Sequence, residues 1–196
     1  MTKEDLNGKK IAVFDLEIKK PIEQCSKGWQ SHNEMGISCL CLYDYFTSRY
    51  RVFDDSSRLE CLDILKLYDY VVGYNTVNFD WKVVNASWSA PFEKTKISKD
   101  FDILREMWIS KGLNPDIFVP KTHGGMKLDA VAYETIGMRK TLDGATAPKL
   151  FQQGRYAEVI DYCLEDVRIE KTLFEFVVEN GYVIWTDKIP LKFNYV

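Results

Sequence analysis

The chain has little histidine and no zinc-type grouping of cysteine. Its two histidines, His32 and His123, both fall in stretches expected to be loops. Its five cysteines, Cys25, Cys39, Cys41, Cys61 and Cys163, are odd in number and follow no zinc-ligand spacing. Cys39-x-Cys41 lies inside an apolar run and is read as strand core, and reduced thiols fit a cytoplasmic location. No apolar run reaches membrane-spanning length, and the polar start Met-Thr-Lys-Glu-Asp has no signal-peptide core, so no membrane association is expected. Positive charge is not in excess either. The formal net charge of −3 argues against a wholly basic nucleic-acid binder, but not against a nucleic-acid enzyme, whose catalytic acids offset local basic patches. Internal repeats and low-complexity segments are absent.

What is present is a soluble globular composition, 46% hydrophobic and 28% charged, over 196 residues, enough for one well-buried core. Residues 11–18 read as a strand. Residues 19–34 read as a loop with Trp29 exposed or folded back. Residues 35–45 and 50–53 complete an antiparallel meander. A helix is expected over 57–68, with Leu59, Leu62, Ile64, Leu65 and Leu67 at helical spacing. A short buried strand over 70–74 leads to a helix carrying Phe79, Asp80, Trp81, Val83 and Val84. Residues 91–100 read as a basic loop, Asp100–Ser110 as a strand running into a helix, and 111–126 as a loop. Helices over 127–137 and 155–179, stopped by Gly137 and Gly181, enclose a loop at 138–149. Tyr182–Trp185 reads as a final edge strand. The pattern describes one α/β domain over 1–196 with a mixed β-sheet, an antiparallel meander plus parallel strands, flanked by helices.

Three fragments carry candidate chemistry. In Ile11–Ile18, residues 11, 13, 15 and 17 share one face, and both faces are apolar until Asp15 and Glu17 appear. Two carboxylates on one face of a buried strand repel, and a divalent cation between them removes the conflict. The bland alternative is a strand that ends with its acids in water. Asp80 falls in the first turn of the helix after the buried strand 70–74, at the strand edge where α/β folds build sites; it is also an ordinary helix-stabilising aspartate. Tyr162 and Asp166 are four apart on the closing helix, beside the stripe Ile160, Cys163, Leu164 and Val167. The competing pair Asp161 and Glu165 is turned about 100° away and reads as solvated, with Glu165 able to pair with Arg168.

Asp-x-Glu on a first central strand, Asp after a later strand, and Tyr-x3-Asp on a late helix together resemble the DEDD 3′–5′ exonuclease superfamily, in its tyrosine subclass. The likeness runs over roughly residues 9–180. Val71 to Asp80, with Asn75, three residues and then Phe79-Asp80, is similar to the exonuclease motif of B-family DNA polymerases, as are Leu128–Ala132 with Gly137 and Asp161-Tyr162-Cys163 before Asp166. Two departures stand out: Ile18 occupies a position where many relatives carry Thr, and Asp161 stands where the histidine subclass has His.

The resemblance implies a ribonuclease H-like fold and a metal-dependent hydrolase that removes 5′-mononucleotides from the 3′ end of single-stranded DNA. It implies two divalent cations, Mg²⁺ or Mn²⁺, which the all-oxygen ligand set also favours. Asp15 would bridge both ions, Glu17 and Asp166 complete the first, and Asp80 hold the second through water. Glu17 and Tyr162 would orient the attacking water, making Asp15, Glu17, Asp80, Tyr162 and Asp166 the catalytic set. Phe79 and Asn75 would face the substrate strand, and Leu16 would lie beside the terminal base. Phe79 as a core residue is the alternative for that position. Lys94, Lys96, Lys99, Lys121, Lys127, Arg139 and Lys140 offer charge for a nucleic-acid backbone, but scattered cations equally make a solvated surface, and no site is assigned to them. An RNA exonuclease of the ribonuclease D-like kind, or an inactive nucleic-acid-binding module, are the alternative functions.

Overall fold

The computed structural model describes residues 8–87, 100–141 and 144–191; the basic loop expected over 91–100, with Lys94, Lys96 and Lys99, lies outside them except for Asp100. The sheet is built on β1 (Ile11–Ile18). Strands β2 (Ile37–Asp44), β3 (Arg49–Asp54), β4 (Tyr70–Gly73) and β5 (Asp100–Asp102) complete it in the order β3-β2-β1-β4-β5. The meander β1-β2-β3 is antiparallel, whereas β4 runs parallel to β1 and β5 parallel to β4. This is the mixed sheet expected from the sequence.

The almost unbroken burial of β1 follows from cover on both sides. Ile11 and Val13 share one core with Cys39, Cys41 and Val72; Ala12, Phe14, Leu16 and Ile18 share the other with Leu40, Leu42 and Val71. The first face is closed by α8 (Tyr156–Asn180), which crosses β1, β2 and β4, with α6 (Leu128–Ile136) and α7 (Ala147–Gln152) against it. The second is closed by α2 (Arg58–Leu65) and α3 (Asp80–Ala86), through Cys61, Leu62 and Leu65 and through Val83 and Val84. Each large apolar side chain so buried contributes about 1.5–3 kcal/mol. The remaining α-helices among the described residues are α1 (His32–Met35), α4 (Ile103–Ser110) and α5 (Pro120–His123).

Several local expectations change. Residues 19–34 hold two 3-10 turns and α1 rather than plain loop. Helix α2 is shorter than expected, and Leu59 and Leu67 are exposed, because two turns against β2 and β3 bury only one narrow stripe. The segment read as loop at 138–149 ends inside α7, whose Pro148 sits in the first turn, where its missing N–H costs nothing. β6 (Tyr182–Trp185) pairs with β7 (Asp187–Pro190) in a separate ribbon instead of extending the sheet. Gly181, in the left-handed conformation, donates its N–H to the Val177 carbonyl, ends α8 and sends the chain straight into this ribbon. Thr135 Oγ1 on α6 fastens it, donating to the Ile184 carbonyl and accepting from the Ile184 N–H. His123 is buried on α5 rather than lying in a loop. Its Nε2 is 2.9 Å from the Asn114 carbonyl and its Nδ1 accepts from the Val119 N–H. His32 opens α1.

Candidate active site

The site forms at the C-terminal edge of the parallel pair β1 and β4. On β1 a register shift between Glu17 and Ile18 breaks the ladder to β2 just as the two carboxylates leave the sheet. Such a bulge re-aims side chains at a strand end. Asp15 and Glu17 point to the face covered by α8, where Asp166 meets them from above. One carboxylate oxygen from each lies within 4.8 Å of the others. Asp15 is half-buried, Glu17 and Asp166 are buried, so the reading of acids ending a strand in open water is excluded.

Asp80 reaches this edge from the other layer. Gly73 ends β4 where any Cβ would collide with the Phe14 carbonyl oxygen at 2.8 Å and with Thr76, so glycine is required there. Asn75 then adopts a left-handed φ of 68°. Asp102 holds this turn, accepting the N–H of Asn75 at 2.8 Å and of Val77 at 3.1 Å, while also capping α4 through the Arg105 N–H. Asp100 accepts from Thr76 Oγ1 and, at 2.8 Å, from Trp81 Nε1; the Trp81 ring stacks on Phe14 at 5.0 Å. Between Thr76 and Trp81 sits Asp80, 3% exposed, accepting the Leu16 N–H and its own amide and facing Asp15.

Tyr162 and Asp166 share the inner face of α8, one turn apart. Lys140 joins them: its Nζ donates to the Tyr162 hydroxyl at 3.2 Å and forms an ion pair with Asp166. Lys140 was counted above only among scattered surface cations; here it is the positive charge of the cluster. Nothing in the local sequence marks it, because a loop brings it in. Glu165, expected to pair with Arg168, accepts instead from Thr141 N–H and Oγ1, pinning that loop to α8, while Asp161 is exposed. A further carboxylate, Glu170, lies one turn beyond Asp166 and is 1% exposed. Its i+4 spacing from Asp166 was the signal for it.

Electrostatics identify the strain in this arrangement. Burial, then repulsion from Asp166, pushes the Asp15 carboxyl up to about 8. Burial and Asp15 hold Glu17 and Asp80 well above the usual carboxylate range, and burial with the same neighbours does so for Glu170. Asp166 is raised by burial despite Lys140. Burial opposes the Lys140 ammonium, but Asp166 and Tyr162 outweigh it. Among the described residues, the buried oxygens Asp166 Oδ1 and Glu170 Oε2 have no hydrogen-bond partner. An all-oxygen, over-acidic, under-satisfied cluster is chemically suited to a hard divalent cation, to which Asp15, Glu17 and Asp166 offer oxygens within 4.8 Å of one another.

The residues expected to face substrate are divided. Asn75 and Phe79 are partly exposed at the same edge. Phe79 meets Trp29 edge-on at 5.6 Å and His32 at 6.4 Å, so Trp29 is folded back onto the site side while staying 64% exposed. Leu16 is 3% exposed and packs in the core beneath α3, so its amide, not its side chain, faces Asp80.

Comparison with known proteins agrees with this topology. A family model described as the RNase_H superfamily matches residues 40–178, a span containing Asp80, Tyr162 and Asp166. Among solved structures, the family B DNA polymerase from the hyperthermophilic archaeon Pyrobaculum calidifontis superposes with a TM-score of 0.63 at 19% identity. That match covers 87% of this chain and 24% of the polymerase, so the chain spans about a quarter of that protein's length. Comparison with curated proteins gave no match. With a central mixed sheet, acidic residues gathered at its edge and a family match over most of its length, the chain belongs to the RNase_H superfamily.

Proposed function

We propose that this domain is a 3′–5′ exonuclease that hydrolyses the terminal phosphodiester bond of a single-stranded DNA 3′ end with the help of two divalent cations, Mg²⁺ or Mn²⁺. The observation that carries this reading is the meeting of Asp15, Glu17 and Asp166, with Asp80 beside Asp15 and Tyr162 beside Asp166, at one strand edge. When bound, the cations stabilise the attacking and leaving oxygens of an in-line phosphoryl displacement. Asp15, Glu17, Asp80 and Asp166 would hold them.

The remaining residues position the reactants. Burial raises the Tyr162 phenol above its usual range, so it is no general base. Lys140 donates to its oxygen and the hydroxyl donates to Asp166, which holds the phenol at the position from which it and the Glu17 carboxylate would orient the attacking water. Lys140 also fixes the Asp166 side chain through their ion pair. Asn75 and Phe79 flank the terminal nucleotides, Phe79 offering a ring for stacking. Leu16, buried, serves through the amide that braces Asp80.

The test is a comparison of single-stranded DNA, duplex DNA and RNA, each labelled at the 5′ end. The expected result is a ladder shortened from the 3′ end, fastest on single-stranded DNA and abolished by chelator. A faster ladder on RNA would assign the domain to RNA instead. Binding without turnover under Mg²⁺ and Mn²⁺ would make it an inactive nucleic-acid module.

A further inference from the structure

Directly behind the carboxylates lies a second donor set. Cys39 and Cys41 project from β2 to the same face, and the register places Cys39 opposite Glu17 and Cys41 opposite Asp15. Cys163 descends onto them from α8. The three Sγ atoms all lie within 4.8 Å of one another, are free thiols, and belong to residues 0–2% exposed. Cys163 Sγ is 3.6 Å from Asp15 Oδ2. In a tetrahedral zinc site, bonds of about 2.3 Å to sulfur and 2.0–2.2 Å to oxygen separate neighbouring S and O donors by about 3.5 Å and neighbouring S donors by about 3.8 Å. The three thiols thus form one ligand set that Asp15 touches through Cys163, and the carboxylate, grouped with Glu17 and Asp166 before any metal enters, completes the cage by turning toward a bound ion. The set is also built on rigid supports, the two central strands and the longest helix.

We propose that Cys39, Cys41 and Cys163, with Asp15 as fourth donor, form a binding site for a thiophilic divalent cation such as zinc or cadmium. Each thiol that ligates releases its proton to solvent. Asp15, the half-buried member, opens the path of entry. Because Asp15 is shared, a cation held by the thiols draws that carboxylate away from the hard-cation centre and silences hydrolysis; this second part rests on the proposed exonuclease reading.

The test uses the reduced full chain without Mg²⁺ or Mn²⁺. Titration with Cd²⁺ is followed by the ultraviolet thiolate-to-cadmium charge-transfer absorption. One equivalent should saturate the band, with an intensity equal to three thiolates, and Cys41→Ala and Cys39→Ala should each weaken binding by about tenfold or more. A folded wild-type chain that gives no band, or a Cys41→Ala chain that binds as tightly as wild type, overturns the site whatever the nuclease assay shows. In Mn²⁺-supported turnover, Zn²⁺ should inhibit wild type at concentrations at least about tenfold lower than Cys41→Ala. Equal inhibition of both overturns the coupling through Asp15. A three-thiolate band on a chain without nuclease activity upholds the thiol site and removes only the exonuclease reading.

Discussion

Asp15 and Asp166 carry the same functional group in one cluster, yet their removal has opposite consequences for the metal-free fold. Asp15 is crowded by Asp166, and Lys140, which pairs with Asp166, offsets that repulsion less than burial and Asp166 impose it, so Asp15→Ala relieves repulsion. Asp166 is the partner of Lys140, whose side chain is 18% exposed, and Asp166→Ala leaves that ammonium unpaired. Breaking such a pair from one side costs on the order of 3 kcal/mol. Denaturant unfolding without metal should therefore show Asp15→Ala as stable as wild type or more so, and Asp166→Ala clearly destabilised. Equal losses for both would contradict the pairing. Both variants should lose cleavage. Tyr162→Phe removes one hydrogen-bond donor to a developing charge while keeping the ring packing. Such a bond contributes about 1.5–3 kcal/mol, or about one to two decades in single-turnover rate, with substrate affinity little changed. A rate within twofold of wild type would remove Tyr162 from the mechanism.

At the level of elements, β1 and α8 bring together carboxylates that share a raised affinity for protons. A carboxyl whose folded pKa is raised binds protons more readily in the native than in the unfolded state. Its contribution is fully present below the ordinary carboxylate range and is lost as pH rises through the folded value, about 8 for Asp15. Glu34 and Asp54, held down to about 2 by hydrogen bonds from Ser26 and from Ser57 and Ser56, act only in more acidic solution and do not offset this. The metal-free melting temperature should fall between about pH 5 and 8, by about 2–4 °C for each kcal/mol lost, and excess Mg²⁺ should flatten the fall. A metal-free melting temperature that climbs over this range would refute the strained cluster. These two elements were also the most legible in the sequence. An apolar strand interrupted by Asp15 and Glu17 admits few explanations, and Tyr162 and Asp166 announce themselves by helical spacing. Lys140 was illegible because a loop delivers it across 26 residues to Asp166, and no local period records that return. The pairing of β6 with β7 was hidden for the same reason, since an apolar run does not say which edge it joins.

Across the whole molecule, the sheet divides its labour. One layer, α2 and α3 over Phe14, Leu16 and Leu40, presents Asp80 and the turn carrying Asn75 and Phe79; the other, under α8, presents Asp166, Tyr162 and Glu170. Asp15 and Glu17 stand where the layers meet, so neither layer alone completes the centre. The ordering of the motifs along the chain, rather than any one of them, made the architecture recognisable. The central claim is that this junction holds two divalent cations through Asp15, Glu17, Asp80 and Asp166. Counting Mn²⁺ bound per chain by electron paramagnetic resonance tests it most directly, on wild type and on Asp15→Asn, which keeps the shape and removes the charge. The account predicts two Mn²⁺ on wild type with a spin-coupled signal, and at most one on Asp15→Asn with the coupling lost. Mn²⁺ binding that is absent from wild type, or unchanged in Asp15→Asn, would contradict it.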